Sequence, residues 1–96
     1  MTALPAKEQL ESCVDEPFLL SLPDGTTERL MLAQVEEHGP HAFSALFRGR
    51  PGFYAPQQIW TLEHDRLGEF ELFLVPLQPD ADGSQFEAVF NRLPAS

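Results

Sequence analysis

Apolar and polar residues alternate in six short stretches of the chain, and this period of two is typical of half-buried β-strands. Each stretch is bounded by proline, glycine or other turn-forming residues. The pattern therefore predicts six strands, at residues 18–22, 28–37, 42–48, 58–64, 69–75 and 85–91. In the third of these, for example, Phe43, Ala45 and Phe47 share one face.

The connections between the predicted strands contain residues with clear turn chemistry. Residues 23–26 read Pro-Asp-Gly-Thr, in which proline presets φ and Gly25 supplies the positive φ of a tight turn. Gly68 suits the left-handed position of a bulged turn between the fourth and fifth strands. Pro76 has no N–H to donate to a neighbouring strand, so we expect it to end the fifth strand.

The segment at residues 1–15 carries a different pattern. Leu10 and Val14 are spaced i, i+4, as on one face of a helix, so we expect a short helix or arm here. The sequence predicts a single all-β domain over residues 1–96, with this helix or arm at 1–15, a six-strand meander at 16–91 and a tail at 92–96. Such a set of strands forms a small antiparallel barrel or a sandwich, and the sequence leaves both open.

The predicted fifth strand has an uneven outer face. Its outer row begins with Glu69 and Glu71 but becomes apolar at Phe73 and Val75. The solvated face of an antiparallel strand normally stays polar along its length. We therefore expect something to cover the Phe73 and Val75 end: the chain's own N-terminal segment, a second copy of the chain or another protein.

The loop after the third strand concentrates cationic and aromatic residues in an otherwise acidic chain. Arg48, Arg50, Phe53 and Tyr54 lie within it or at its start, and such residue types are enriched at binding hot spots. In an alternative interpretation, the two aromatic side chains fold back onto the barrel end while the arginines neutralise nearby carboxylates. The candidate partner-binding residues are Arg48, Arg50, Phe53, Tyr54, Phe73 and Val75.

Acidic residues outnumber basic ones, with 15 Asp and Glu against 6 Lys and Arg and a formal net charge of −9. This balance argues against nucleic-acid binding, which needs clustered cationic side chains. No apolar run approaches the ~20 residues of a membrane span. The N-terminal residues lack the apolar segment of a signal peptide, which predicts a cytoplasmic protein, although export that needs no signal peptide stays open.

No motif for catalysis or metal binding stands out. Cys13 is the only cysteine, so it can form no intrachain disulfide, and we expect a half-buried structural role for it. Ser44 lacks a G-x-S-x-G elbow. Asp80 and Asp82 resemble a fragment of a calcium loop whose remaining ligands are missing. The sequence therefore predicts a non-enzymatic protein with no catalytic residues, no cofactor and no metal site.

Four segments carry a family pattern: AFSALFRG at 42–49, WTLEH at 60–64, LGEFELFLVP at 67–76 and FEAVFN at 86–91. They resemble an uncharacterised family of small bacterial all-β domains with an F-S-x-x-F-R-G strand, an L-E-H turn, an E-L-F-L-V-P strand and a Y-E-A-V-F-N end. The chain has Phe86 where that family has tyrosine. Members are often encoded beside phage-tail-collar-like fibre proteins, so the resemblance implies an accessory or assembly role. It implies no site residues.

Three functions follow from these observations. The first is a protein-interaction or assembly module that uses exposed strand edges and an apolar end, with a tail-collar-like fibre as the partner and homo-oligomerisation left open. The alternative is a small-ligand or carbohydrate-binding barrel, in which Trp60, Tyr54 and Phe53 would form a stacking platform. The third, an acidic mimic of nucleic acid, requires a strip of carboxylates, whereas these are spread over many turns.

Overall fold

The computed structural model describes residues 4–91 of the chain. These residues form α1 (Lys7–Glu11), β1 (Pro17–Ser21), β2 (Thr27–Glu37), β3 (Ala42–Gly49), β4 (Gln58–His64), β5 (Gly68–Asp80) and β6 (Gly83–Asn91). All strand pairings are antiparallel and the six strands close into a barrel. The predicted fold class is confirmed, with the barrel in place of the sandwich. The expected tail at 92–96 lies outside the described residues.

The order of strands around the barrel corrects the predicted meander. The order is β1-β2-β3-β6-β5-β4, so β3 pairs with β6 and β4 pairs with β1. The fold thus consists of two three-stranded meanders, β1–β3 and β4–β6, joined by the loop at residues 50–57. This Pro- and Gly-rich loop is long enough to carry the chain across the barrel, whereas each meander is connected by short turns.

The barrel interior is filled by the inward rows of the strands. Phe18 of β1 lies edge-on to Phe47 of β3, with ring centroids 5.3 Å apart, and to Phe70 of β5, at 6.1 Å. All three rings are buried, and each such burial contributes about 1.5–3 kcal/mol. The short helix α1 adds Leu10 to this core, and Cys13 behind it is fully buried rather than half-buried. With five residues, α1 is far too short to cross a bilayer, and no other helix occurs in residues 4–91.

The tight turns are where the sequence predicts them. Gly25 has a φ of +89° in the β1–β2 turn, where Asp24 Oδ1 accepts hydrogen bonds from the Thr26 backbone N–H and hydroxyl. Gly68 has a φ of +79° at the start of β5. Both positive φ values favour glycine because it has no Cβ.

Pro76 does not end β5, which continues to Asp80. The strand changes neighbours at this point, since residues 68–74 pair with β4 and pairing with β6 begins at Val75. Pro76 lies opposite Phe86 of β6, beyond the last β4 pair. Proline is found in strands mainly where a neighbouring strand is missing, and Pro76 lies where β4 no longer pairs with β5.

Candidate functional site

A groove of about 570 Å³ crosses the outer face of β4 and β5. Its apolar lining includes Leu4, Ile59 and Phe73, and its acidic lining is Glu69 and Glu71. We call these five residues the apolar groove. It arises because the outer rows of both strands, which face solvent, contain large apolar side chains among polar ones.

The apolar side chains of this surface are adjacent and exposed. Ile59 lies directly opposite Phe73 in the β4–β5 register, and their exposed fractions are 63% and 48%. Leu4 and Phe73 also line a second depression together with Val89 of β6, which is 55% exposed. Single exposed apolar residues are ordinary, whereas these residues lie next to one another and form one exposed apolar surface.

A notch separates β5 from β6 beside the groove. The two strands pair from Asp80 to Val75 of β5, and among the described residues their pairing stops at Val75 opposite Glu87. Residues 71–73 of β5, residues 88–91 of β6 and Leu4 then border a depression of about 200 Å³. Among the described residues, this strand pair is therefore hydrogen-bonded at its hairpin end and unpaired at its other end.

Carboxylates lie on the outer face of β4 and β5, in the groove and next to it. Glu63 and Glu69 lie directly opposite each other in the register, and like charges in such positions destabilise a sheet. Glu71 follows on the same face. Within residues 4–91 none of these three carboxylates forms an ion pair. The groove therefore combines an apolar surface with two carboxylates, Glu69 and Glu71, that form no ion pair within residues 4–91.

The arginines that the sequence suggests for partner binding are already engaged within the chain. Arg48 Nη1 lies 2.7 Å from Asp80 Oδ2, and Arg50 Nε lies 2.8 Å from Glu28 Oε2. The Arg50 guanidinium also lies 5.6 Å from the centroid of the Phe53 ring. Phe53 itself is partly buried against the core. In the alternative interpretation of the loop, the arginines neutralise nearby carboxylates and the aromatic side chains fold back onto the barrel end. The positions of Arg48, Arg50 and Phe53 agree with that interpretation.

Of the six predicted partner-binding residues, the structure places only Phe73 in the apolar groove. Tyr54 is 70% exposed on the loop, and Val75 is half-buried where β5 meets β6. The sequence interpretation missed Ile59 and Val89. Each is an apolar residue on the outer row of its strand, and the period-two pattern of the sequence already shows this. Only the strand register shows that both residues neighbour Phe73.

A second cluster joins the N-terminal segment to the turn between β4 and β5. His64 Nε2 lies 2.8 Å from Glu16 Oε1, and Arg66 Nη2 lies 2.9 Å from the same oxygen and 3.3 Å from Cys13 Sγ. The ligating atoms of Cys13, Glu16 and His64 lie within 4.8 Å of one another. Thiolate, carboxylate and imidazole are ligand types that zinc accepts, so this cluster is the candidate metal site of the described chain.

The hydrogen bonds of His64 disfavour metal binding in this cluster. Its Nδ1 accepts hydrogen bonds from the backbone N–H groups of Arg66 (3.1 Å) and Leu67 (3.4 Å). The neutral ring therefore carries its proton on Nε2 and donates it to Glu16. A metal on Nε2 would need that proton on Nδ1, against two N–H donors. Arg66 already places a positive charge next to Glu16 and Cys13, where a metal ion would otherwise supply one. We therefore assign the cluster a structural role.

Glu16→Gln should lower the melting temperature at pH 7 by a small, measurable amount. The hydrogen bond from His64, and then the charge of Arg66, holds the Glu16 pKa below its ordinary value of 4.5. A lowered native pKa stabilises the fold above the unfolded-state pKa, and this is lost as the pH falls through the native pKa. The wild-type advantage should therefore disappear in acid, which thermal denaturation between pH 7 and pH 3 can measure.

The matched control for this variant is Glu71→Gln, which removes an exposed β5 carboxylate that has no ion pair in residues 4–91. We expect no loss of melting temperature at pH 7 from this substitution. An equal loss in both variants would contradict a specific role for Glu16.

Residues 5–90 match the domain of unknown function DUF6916. The chain belongs to this family. The DUF6916 segment includes α1, β1–β5 and β6 up to Phe90, so it carries the whole apolar groove except Leu4. This agrees with the expected membership of an uncharacterised family. No curated protein and no solved structure matches the chain.

Proposed function

We propose that this DUF6916 domain is a non-enzymatic protein-interaction module that binds its partner through the apolar groove. The observation that carries the proposal is the contiguous exposure of Leu4, Ile59, Phe73 and Val89 on one surface. Interfaces concentrate their binding energy in a few large side chains at the centre of such a surface, with polar groups around them.

The proposed partner is a tail-collar-like fibre protein, for which the domain serves as an accessory or assembly factor in the cytoplasm. Support for this partner comes from the resemblance to bacterial proteins encoded beside such fibres. Support for a protein partner in general comes from the groove, whose exposed apolar side chains lie on two neighbouring strands beside two carboxylates.

The alternative function, a small-ligand or carbohydrate-binding barrel, loses its aromatic platform. Trp60 is buried, and its indole N–H donates a hydrogen bond to the Pro56 carbonyl at 3.0 Å. Phe53 packs against the core, so Tyr54 alone of the three rings is largely exposed. Phenylalanine and leucine side chains fill the barrel interior. We therefore do not propose this function.

Phe73→Ser should weaken binding of the proposed tail-collar-like fibre protein roughly 10-fold or more, because an exposed aromatic side chain of the groove is lost. The affinity is measured by titration calorimetry with the two purified proteins. Leu77→Ser is the matched control, since Leu77 lies on the same strand, is 38% exposed and is outside the groove. We expect this variant to bind like the wild type.

Circular dichroism of both variants shows whether they are folded. A folded Phe73→Ser protein that binds as tightly as the wild type would refute the groove as the binding surface. Equal loss of binding in Leu77→Ser would show that the interface is not confined to the groove.

A further inference from the structure

Among residues 4–91, the N-terminal half of β5 pairs with another strand on one side only. Its residues 69–73 pair with β4. Continuing the β5–β6 register would place Phe73 opposite Val89 and Glu71 opposite Asn91, but within residues 4–91 that pairing stops at Val75. Along such an edge every second residue directs its N–H and C=O groups away from the existing partner. These groups can pair with an added strand.

The side chains along this edge determine what an added strand would have to carry. Glu69 and Glu71 lie on its outer face and Phe73 follows at the end nearest β6. Directly opposite residues in antiparallel strands interact, with opposite charges and apolar pairs favourable. An added strand therefore needs basic residues opposite the two glutamates and an apolar residue opposite Phe73.

The inner side of the notch is apolar. The depression between β5 and β6 is lined by Leu72, Ala88 and Phe90, whose side chains belong to the buried core. An added strand would direct its alternate side chains toward these residues. Apolar residues at those positions would extend the core, so the complementary sequence alternates basic and apolar residues.

We propose, as a step that rests on the proposed function, that an extended basic segment of the partner adds as a strand to residues 69–73 of β5. Basic side chains of this segment pair with Glu69 and Glu71 and relieve the repulsion between Glu63 and Glu69. Its apolar side chains cover Phe73 and the notch. This arrangement explains why a destabilising pair of opposed glutamates stands beside an open strand edge.

The negative charge of the chain favours a basic partner segment over a second copy of the chain at this edge. Each copy carries a formal net charge of −9, and a symmetric pairing of two β5 edges would bring Glu69 and Glu71 of both copies together. Such like-charge contacts across an interface are unfavourable. A basic segment instead finds a site of opposite charge.

The test uses the peptide acetyl-Ile-Val-Lys-Val-Lys-Val-amide, designed to run antiparallel to β5 with isoleucine opposite Phe73. The peptide is titrated into the 15N-labelled domain and followed by two-dimensional NMR. We expect saturable shifts of the amides of residues 69–73 and 88–91. A peptide with glutamate in place of both lysines should bind at least 10-fold more weakly.

Two further peptides carry N-methyl groups on alternate backbone nitrogens. One peptide is methylated at the odd-numbered residues and the other at the even-numbered residues. Strand addition requires that at least one of them binds 10-fold or more weakly, because methylation removes the hydrogen-bond donors that face the edge. If both bind as tightly as the parent, strand addition is refuted, while side-chain docking in the groove, and so the proposed function, survives.

The remaining outcomes also decide the question. No shifts at millimolar peptide, or shifts elsewhere on the barrel, refute the inference, whereas the Phe73→Ser titration with the fibre protein decides the proposed function independently. Shifts of the same amides with protein concentration alone, together with a dimer mass by light scattering, would identify a second copy as the occupant and overturn the inference.

Discussion

Phe18→Ala should lower the free energy of unfolding by about 3–5 kcal/mol, the range found when a large core side chain is truncated. The ring is fully buried and contacts Phe47 and Phe70 across the barrel, and it also packs 4.7 Å from the ring of His64. It lies on β1, the strand that pairs with both β2 and β4 and so closes the barrel. Its loss leaves a cavity among residues from several strands, which the rigid wall cannot fill.

Urea denaturation followed by circular dichroism measures this change. Phe73→Ala is the matched control, because it removes the same side chain from a half-exposed position, and we expect it to cost about 1 kcal/mol or less. Equal losses in the two variants would show that Phe73 belongs to the core and would contradict its assignment to a binding surface.

The period-two pattern predicted the strands and the core because it depends on burial alone. Phe43, Ala45 and Phe47 alternate with less buried residues, and the structure buries all three. The pairing order around the barrel was not predictable in this way. Nothing local in β3 specifies β6 as its neighbour, because that choice depends on how the two meanders pack together.

The candidate site was predictable only in part for the same reason. The outer row of the fifth strand identified Phe73, since an apolar residue at a solvent-facing position is visible in one segment. Ile59 and Val89 come from other strands and join it only through register. The cluster of Cys13, Glu16 and His64 likewise joins residues about 50 positions apart in the chain.

The departures from local sequence rules lie together on the molecule. Phe73 and Ile59 place apolar groups where solvated faces are normally polar, and Glu63 opposes a second glutamate on the same two strands. Among residues 4–91 the β5–β6 ladder also stops two residues from Phe73, at Val75. Natural sequences depart from such rules mainly at functional sites. Their nearness on the outer face of β4 and β5 is the reason to propose this face, rather than the arginine-containing loop, as the binding surface.

Gly83→Ala should also be strongly destabilising, by about 3 kcal/mol or more, because it combines two costs. Gly83 has a φ of +139°, which side chains rarely adopt, and an added Cβ would overlap the backbone carbonyl oxygen of Gly49. This residue begins β6 where the strand passes against the end of β3, so the overlap can be relieved only by separating two paired strands.

Gly25→Ala separates the two costs, because Gly25 has a φ of +89° but no atom within 4 Å of the position that an added Cβ would take. Only conformational strain should remain, about 1 kcal/mol. Urea denaturation of both variants gives the difference, which measures the close approach of β6 to β3. Equal destabilisation would mean that the backbone conformation alone requires glycine at position 83, and that β3 and the start of β6 can separate at little cost. A large difference would show that β6 cannot separate from β3 at this end of the barrel without a substantial loss of stability.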